Sequence, residues 1–156
     1  MSVILPGSYD PVTSGHLDII RRVAEVEDEV YVVAFVNPDK QYLFSVEDRV
    51  AMLILATDDI ENCIVSHSPG RVVDYMRDHG IERIVKGYRD ESDLEYELPQ
   101  ADYNLHHGGY ETEFLQARAE YRDISSTAVR RALAAGESID GMVPPRVAKY
   151  IKELGK

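Results

Sequence analysis

The chain has 156 residues, which suits one domain with a substantial hydrophobic core, and no linker or low-complexity segment divides it. Its formal net charge of −11 argues against nonspecific binding to nucleic acid or to an anionic membrane, because both depend on a basic surface. Cys63 is the single cysteine, which excludes an internal disulfide framework, a Cys-based zinc site and a C-x-x-C redox pair.

The first predicted strand covers residues 3–5, and no basic leader segment precedes it. No apolar run in the chain approaches the length that is needed to cross a bilayer. We therefore expect a cytoplasmic protein that has neither a membrane nor a nucleic acid as its partner.

The segment after this strand, residues 6–16, is the most informative part of the chain. It has the sequence P-G-S-Y-D-P-V-T-S-G-H and leads into an amphipathic run, a pattern that predicts a strand, a loop and a helix. Free N–H groups and the dipole at a helix start attract anions such as phosphate. Gly7 allows close approach of the backbone, and Thr13 or Ser14 can cap the helix. His16 is then expected in the first helical turn, facing the anion.

Strands and helices continue to alternate along the chain. A nearly continuous apolar run at residues 30–36 predicts a central parallel strand, and Ser45 can cap the helix that follows. The other predicted elements are strands at 63–65, 83–85 and 113–115, helices at 72–79, about 92–106 and 126–134, and a packing helix that starts at residues 144–145. The pattern predicts an α/β fold for residues 1–156, a single domain with a doubly wound, Rossmann-like parallel sheet of five strands flanked by helices.

In such a sheet, ligands bind beyond the carboxyl ends of the strands. Lys40 follows the second predicted strand, and Lys86 and Arg89 follow the fourth. A late helix opens with three hydroxyl residues, Ser125, Ser126 and Thr127. With His16, these groups predict a triphosphate pocket at one sheet edge of an acidic protein.

Two further groups of charges are open to more than one interpretation. Arg130 can face the same anion or pair with a nearby acid, and the sequence favours neither. The acidic run at residues 90–97 is interpreted mostly as a solvated helix face and as partners of the helix dipole.

Neither a Walker motif nor G-x-G-x-x-G is present, so the phosphate-loop signal is carried by G-S-Y-D-P followed by T-x-G-H. The chain then has N-P-D-K at residues 37–40, K-G-Y-R at 86–89 and I-S-S-T at 124–127. With these motifs in this order, it resembles nucleotidyltransferases related to class I aminoacyl-tRNA synthetases, and among them the bacterial phosphopantetheine adenylyltransferases. The similarity runs over most of the chain, and the ordered set is more specific than any one motif.

The resemblance implies a reaction. The adenylyl group of ATP would be transferred to 4′-phosphopantetheine, giving dephospho-coenzyme A and pyrophosphate in coenzyme A biosynthesis. Mg²⁺ would be the cofactor, shielding the leaving group, and no protein nucleophile is needed. The resemblance also implies a homohexamer and feedback inhibition by coenzyme A.

The resemblance implies site residues as well. The catalytic residues would be Ser8, His16 and Lys40, with His16 as a donor to phosphate and not a general base. The ATP-binding residues would be Ser8, Tyr9, His16, Gly87, Arg89, Glu97, Tyr121, Ser125, Ser126 and Thr127. The residues that bind the acceptor would be Ser8, Lys40, Arg71, Val72, Lys86 and Asn104. No side chain is assigned to a metal.

Three positions depart from the family pattern and leave other acceptors open. Arg71 replaces a usual apolar contact, and Lys86 stands where arginine is common and lacks its planar fork. Pro99 would kink its predicted helix unless that helix begins late. The alternatives are a related nucleotidyltransferase with nicotinate mononucleotide or glycerol phosphate as acceptor, and a non-catalytic nucleotide-binding regulator.

Overall fold

The computed structural model describes residues 1–156. Its elements are β1 (Ser2–Gly7), α1 (Ser14–Ala24), β2 (Glu29–Phe35), α2 (Val46–Thr57), β3 (Cys63–Ser68), α3 (Val72–His79), β4 (Arg83–Tyr88), α4 (Glu91–Gly108), β5 (Thr112–Gln116), α5 (Ser126–Ala134) and α6 (Pro145–Glu153). The five strands form one sheet in the order β3-β2-β1-β4-β5, and all neighbours are parallel. The predicted fold class is therefore confirmed. None of the helices combines the length and the apolar character that crossing a membrane requires.

The strand order reverses direction between β1 and β4. From β1 the chain adds β2 and β3 on one side, and it then returns to place β4 and β5 on the other. Loops that leave β1 and β4 consequently diverge, and a crevice opens beyond the carboxyl ends of these two strands.

Apolar side chains cover both faces of the sheet. Successive residues of β1 point to opposite faces, so Val3 and Leu5 join a larger buried cluster while Ile4 joins a smaller one with Met76 and Ile84. The first cluster includes residues of α1, α2, α5 and α6, and the second includes residues of α3. This two-sided burial is what a parallel sheet requires, and it leaves the ends of the strands for ligands.

Helix α4 differs from the sequence prediction around Pro99. The helix does not begin late, because Asp90 caps it by accepting a hydrogen bond from the N–H of Asp93 at 2.8 Å, and Pro99 lies in its interior. Glu95, whose carbonyl Pro99 cannot bond, is exposed, so water can bond that carbonyl instead.

Gly87 of β4 lies against Ile19 of α1. A Cβ atom at position 87 would come 2.9 Å from Ile19 Cγ1, closer than carbon atoms approach. We therefore expect Gly87→Ala to lower the free energy of unfolding by about 1–3 kcal/mol. Urea unfolding would measure this loss as a lower midpoint at unchanged slope.

Gly70→Ala is the matched control for this prediction. A Cβ at position 70 meets only Ser68 Oγ, at an ordinary contact distance of 3.7 Å. Its effect should stay within about 0.5 kcal/mol, as is usual for surface changes. Equal losses in the two variants would mean that the contact with Ile19 does not require glycine.

Candidate active site

Two adjacent cavities open in the crevice beyond β1 and β4. The first, of about 280 Å³, lies between the β1–α1 loop, the end of β4 and the start of α5. The second, of about 300 Å³, lies between the end of β2, α4 and β5. Five residues line both cavities, and we call them the shared wall: Pro6, Gly7, Ser8, Lys86 and Glu97.

His16 is held in the first turn of α1 by a reciprocal cap. The N–H of His16 donates to Thr13 Oγ1 at 3.2 Å, and the N–H of Thr13 donates to His16 Nδ1 at 3.0 Å. The sequence allowed either Thr13 or Ser14 as the helix cap, and in the structure the cap is Thr13. Because Nδ1 accepts a backbone N–H, the neutral ring carries its proton on Nε2. His16 thus offers one N–H donor in the first cavity, which it lines.

The charge state of His16 follows from its surroundings. Burial lowers the pKa of His16 to about 4, with further lowering by the positive charges of Lys86 and Arg89, against a smaller opposing effect of Asp93. The imidazole is therefore neutral near pH 7. A group with this pKa is a weak proton acceptor there, so the arrangement suits a hydrogen-bond donor.

The lowered pKa of His16 predicts a pH-dependent stability. As the pH falls from 6.5 towards 4, the unfolded chain takes up a proton on His16 while the folded chain does not. The wild-type protein should therefore lose up to about 3 kcal/mol of stability relative to a variant without this group. The variant His16→Gln keeps an acceptor for the N–H of Thr13. Denaturant unfolding of both proteins from pH 4 to 8 measures the difference, and a constant difference would contradict the prediction.

The loop before α1 is shaped by Tyr9. This residue has a φ of 49°, which is uncommon outside glycine, and its hydroxyl donates to the carbonyl of Leu5 at 2.9 Å. A Cβ at Gly7 would lie only 3.2 Å from the Tyr9 ring, so glycine leaves room for that ring. The ring meets His16 edge-on, with the centroids 5.0 Å apart. Tyr9 thus lines the first cavity with its hydroxyl already bonded.

Asp10 connects this loop to two distant segments. Its buried carboxylate accepts the N–H groups of Leu43 and Phe44 at 3.0 and 2.9 Å. Arg130 of α5 donates to the Asp10 carbonyl at 2.8 Å and lies 3.8 Å from its carboxylate. Arg130 also donates to Thr127 Oγ1 at 3.1 Å. The sequence allowed Arg130 either to face the bound anion or to pair with a nearby acid, and in the structure it pairs with Asp10.

The cations at the cavities have only partial protein partners. Lys40 Nζ donates to Ser8 Oγ at 3.1 Å. Lys86 Nζ lies 3.1 Å from Glu97 Oε2, and both side chains are about one quarter exposed. Phosphate oxygens that enter either cavity can therefore reach an ammonium group.

Asp93 is a cavity residue that the sequence interpretation missed. It lines the first cavity, accepts the Arg89 N–H at 3.0 Å and lies 3.6 Å from Arg89 Nε. Asp93 lies in the first turn of α4, which agrees with the interpretation of the acidic run as partners of the helix dipole, but its contacts with Arg89 were not predicted. The i,i+4 spacing from Arg89 was the available signal.

The second cavity brings together most of the residues predicted for the acceptor. Val72 lines it, and so does Asn104, whose buried amide accepts from Gln100 at 3.3 Å. Arg71 is not among the lining residues, because its guanidinium donates to the Tyr103 hydroxyl at 2.5 Å on the exposed side of α4. Arg71 therefore lies outside this cavity, although it directly precedes the lining residue Val72.

The predicted residues fall into two spatial groups. The first cavity is lined by Ser8, Tyr9, His16, Gly87, Arg89, Glu97, Tyr121, Ser125 and Ser126. The second is lined by Ser8, Lys40, Val72, Lys86 and Asn104. Thr127 and Arg71 lie outside both linings. The two sets meet at the shared wall.

Arg49 was not predicted as a site residue, although it touches the site. It lies on α2, it is only 1% exposed, and it donates to the carbonyl of Ser8 at 2.8 Å. Met52, Leu53 and Ala56 are buried on the same helix at spacings of three, four and seven residues. Because Arg49 has the helical spacing of these apolar residues, the sequence already indicated that it lies on the buried face of α2.

Similarity to known proteins identifies the family of this chain. A family model described as cytidylyltransferase-like matches residues 4–132. Proteins named phosphopantetheine adenylyltransferase from Clostridium novyi and Symbiobacterium thermophilum are 43% and 44% identical, covering 98% of this chain and 96% and 95% of theirs. One of the same name from Corynebacterium diphtheriae is 43% identical over 98% of this chain and 97% of its own. The chain therefore belongs to the phosphopantetheine adenylyltransferase family of cytidylyltransferase-like proteins.

Proposed function

We propose that this chain transfers the adenylyl group of ATP to 4′-phosphopantetheine, giving dephospho-coenzyme A and pyrophosphate. Relatives of near full length carry the name of this activity. The observation that carries the proposal is the pair of cavities that meet at the shared wall, with a cation reaching each side. Two substrates that exchange a phosphoryl-type group need such adjacent sites.

The reaction needs positioning and charge stabilisation. An oxygen of the acceptor phosphate attacks the α-phosphorus of ATP, a new P–O bond forms, and the bond to the bridging oxygen breaks as pyrophosphate leaves. ATP would occupy the first cavity, and the acceptor phosphate would approach from the second across the shared wall. Fixed donors and cations lower the barrier because they stabilise charge on the moving phosphate oxygens.

Named groups can supply this stabilisation. His16 would donate its Nε2–H to a phosphate oxygen, and Lys40 would turn from Ser8 Oγ to the acceptor phosphate. Arg89 and the helix start at Ser125 and Ser126 would hold the nucleotide. The remaining predicted residues, Tyr9, Gly87, Glu97, Tyr121 and Thr127 for ATP and Ser8, Arg71, Val72, Lys86 and Asn104 for the acceptor, keep the roles that the family resemblance implies.

We propose that Mg²⁺ enters with ATP as part of the substrate. No three His, Cys, Asp or Glu side chains come together in a way that could hold a metal ion. Asp93 and Glu97, the acids of the cavities, each face a cation. Mg²⁺ commonly keeps several waters and binds mainly through substrate phosphates, which suits this site. Calorimetric titration of the protein with Mg²⁺ in the absence of ATP should give no binding heat, and binding heat there would contradict this proposal.

We also propose a homohexamer that works in the cytoplasm, where ATP is available, with coenzyme A as feedback inhibitor. Exposed apolar side chains on α4 support self-association: Tyr96 is 82% exposed, and Leu98 and Leu105 are also exposed. Coenzyme A would inhibit because it shares most of its structure with the product and can occupy the same cavities. A monodisperse monomer in light scattering would contradict the hexamer.

Pyrophosphate release from Mg-ATP tests the proposed reaction. The purified protein is assayed with phosphopantetheine, nicotinate mononucleotide, glycerol phosphate or no acceptor. Release that depends on phosphopantetheine, with dephospho-coenzyme A as the product, is expected. Pyrophosphate release with only one of the other acceptors would show that the substrate is different. Arg71, which departs from the family pattern, would then be the first residue to test for acceptor choice. Tight ATP binding without any product would favour a regulatory nucleotide-binding protein.

A further inference from the structure

Arg49 of α2 is a buried cation without an acidic partner. Only 1% of it is exposed, and it belongs to none of the ion pairs around the site, which involve Lys86, Arg89 and Arg130. Its Nε is buried without a hydrogen-bond partner. A buried charge in this condition is costly for folding, so its presence calls for a compensating role.

The contacts of Arg49 lie under both loops that carry predicted phosphate ligands. Its NH1 donates to the carbonyl of Ser8 at 2.8 Å, and the carbonyl of Phe35, at the end of β2, is 3.4 Å away. The guanidinium lies 3.9 Å from the centre of the Tyr42 ring, a cation–π contact. One side chain thus joins the β1 loop to the segment after β2.

Tyr42 extends this connection towards Lys40. The Tyr42 hydroxyl accepts the N–H of Asn37 at 2.9 Å, and the Lys40 N–H donates to the Asn37 carbonyl at 3.0 Å. Lys40 Nζ lies 5.8 Å from the Tyr42 ring centre and 3.1 Å from Ser8 Oγ. The relative position of Lys40 and Ser8 therefore depends on the contacts that Arg49 makes with the Ser8 carbonyl and the Tyr42 ring.

We propose that Arg49 is a positioning residue that holds Ser8 and Lys40 in register at the shared wall, and that its charge is compensated by the phosphate bound there. This inference rests on the proposed function for its kinetic consequence. Its binding consequence stands alone, because any polyphosphate that meets the wall would interact with the unpaired charge. Arg49 acts through Ser8 and Tyr42 and does not itself line either cavity.

Two substitutions separate charge from geometry. Arg49→Lys keeps the charge but loses the planar fork and its stacking on Tyr42, whereas Arg49→Met keeps an unbranched chain without charge. Arg146→Met is the matched control, because Arg146 is an exposed arginine of α6 that pairs with Asp58. Each protein is first characterised by thermal unfolding, and all assays use a temperature at which every variant is folded.

The kinetic readout is the split between kcat and KM. Misplacement of the reacting groups should lower kcat about tenfold in Arg49→Lys and about a hundredfold in Arg49→Met, with a higher acceptor KM. The KM for ATP should change less than about twofold in Arg49→Lys, which keeps the charge, and it should rise in Arg49→Met by up to the tenfold expected for tripolyphosphate. Unchanged kcat in both variants, with only the melting temperature lowered, would overturn the positioning role.

Calorimetry with inorganic tripolyphosphate gives a readout that does not need turnover. Arg49→Met should bind this probe about tenfold more weakly than wild type, while Arg49→Lys should stay within about twofold. Equal affinity in wild type and Arg49→Met would overturn the charge role. If the wild-type protein binds tripolyphosphate but makes no dephospho-coenzyme A, the proposed function fails and the binding comparison still decides the role of Arg49.

Discussion

Replacing His16 with alanine is expected to lower kcat by about a hundredfold to a thousandfold, the usual effect of removing one fixed donor to a developing charge. The Nδ1 atom is occupied by the N–H of Thr13, so the Nε2–H is the one donor that the ring can offer to phosphate. The KM for ATP should change little, because the other nucleotide contacts remain. Steady-state pyrophosphate release at saturating acceptor measures both constants.

The His16→Gln variant distinguishes the donor from the helix cap. Alanine also removes the acceptor for Thr13, which should cost about 1 kcal/mol of stability. Glutamine at this position restores a capping-box acceptor, so the stability should recover while most of the lost kcat does not. A wild-type kcat in His16→Ala would exclude His16 from the mechanism.

Replacing Lys40 with methionine should lower kcat/KM for the acceptor by about tenfold to a hundredfold. The Ser8 hydroxyl is the only hydrogen-bond partner of the ammonium, so the ammonium can turn to a phosphate, and a hydrogen bond to a charged group contributes about 1.5–3 kcal/mol. The dependence of the rate on the acceptor concentration, at saturating ATP, measures the change.

Two further variants serve as controls for Lys40→Met. Lys149→Met removes an exposed lysine of α6 and should leave the kinetics unchanged. Lys40→Arg keeps the charge on a larger, planar group and should recover only part of the activity. Acceptor kinetics in Lys40→Met equal to those of wild type would show that this lysine does not bind the acceptor phosphate.

Periodic patterns predicted most of the fold because burial dictates them locally. The end of β4 was not predicted in this way. The hydrophobic pattern predicts a strand that ends at residue 85, whereas the strand in the structure continues to Tyr88. Lys86, Gly87 and Tyr88 pair with residues of β5, and backbone pairing with a neighbour extends a strand regardless of side-chain hydropathy. The same effect extends β3 to Ser68 beside β2.

The candidate site was predictable where it depends on position after a strand. Lys40 follows from this rule alone, since parallel strands end at one edge, whereas Lys86 lies within β4 and lines both cavities from the strand itself. The partners of Arg130 and Arg49 were not predictable, because Asp10 and Ser8 are 120 and 41 residues away along the chain. Contacts of that separation are set by the packed fold and not by any local pattern.

The shared wall has a consequence for the end of the catalytic cycle. In the proposed reaction each substrate would occupy one cavity, but the product would join both halves covalently and span them. Dissociation of one half leaves the other bound, so the free half faces its cavity at an effective concentration in the millimolar range or above, about that of a short tether. Escape therefore requires both halves to leave together, and product release becomes the step most exposed to changes in either cavity.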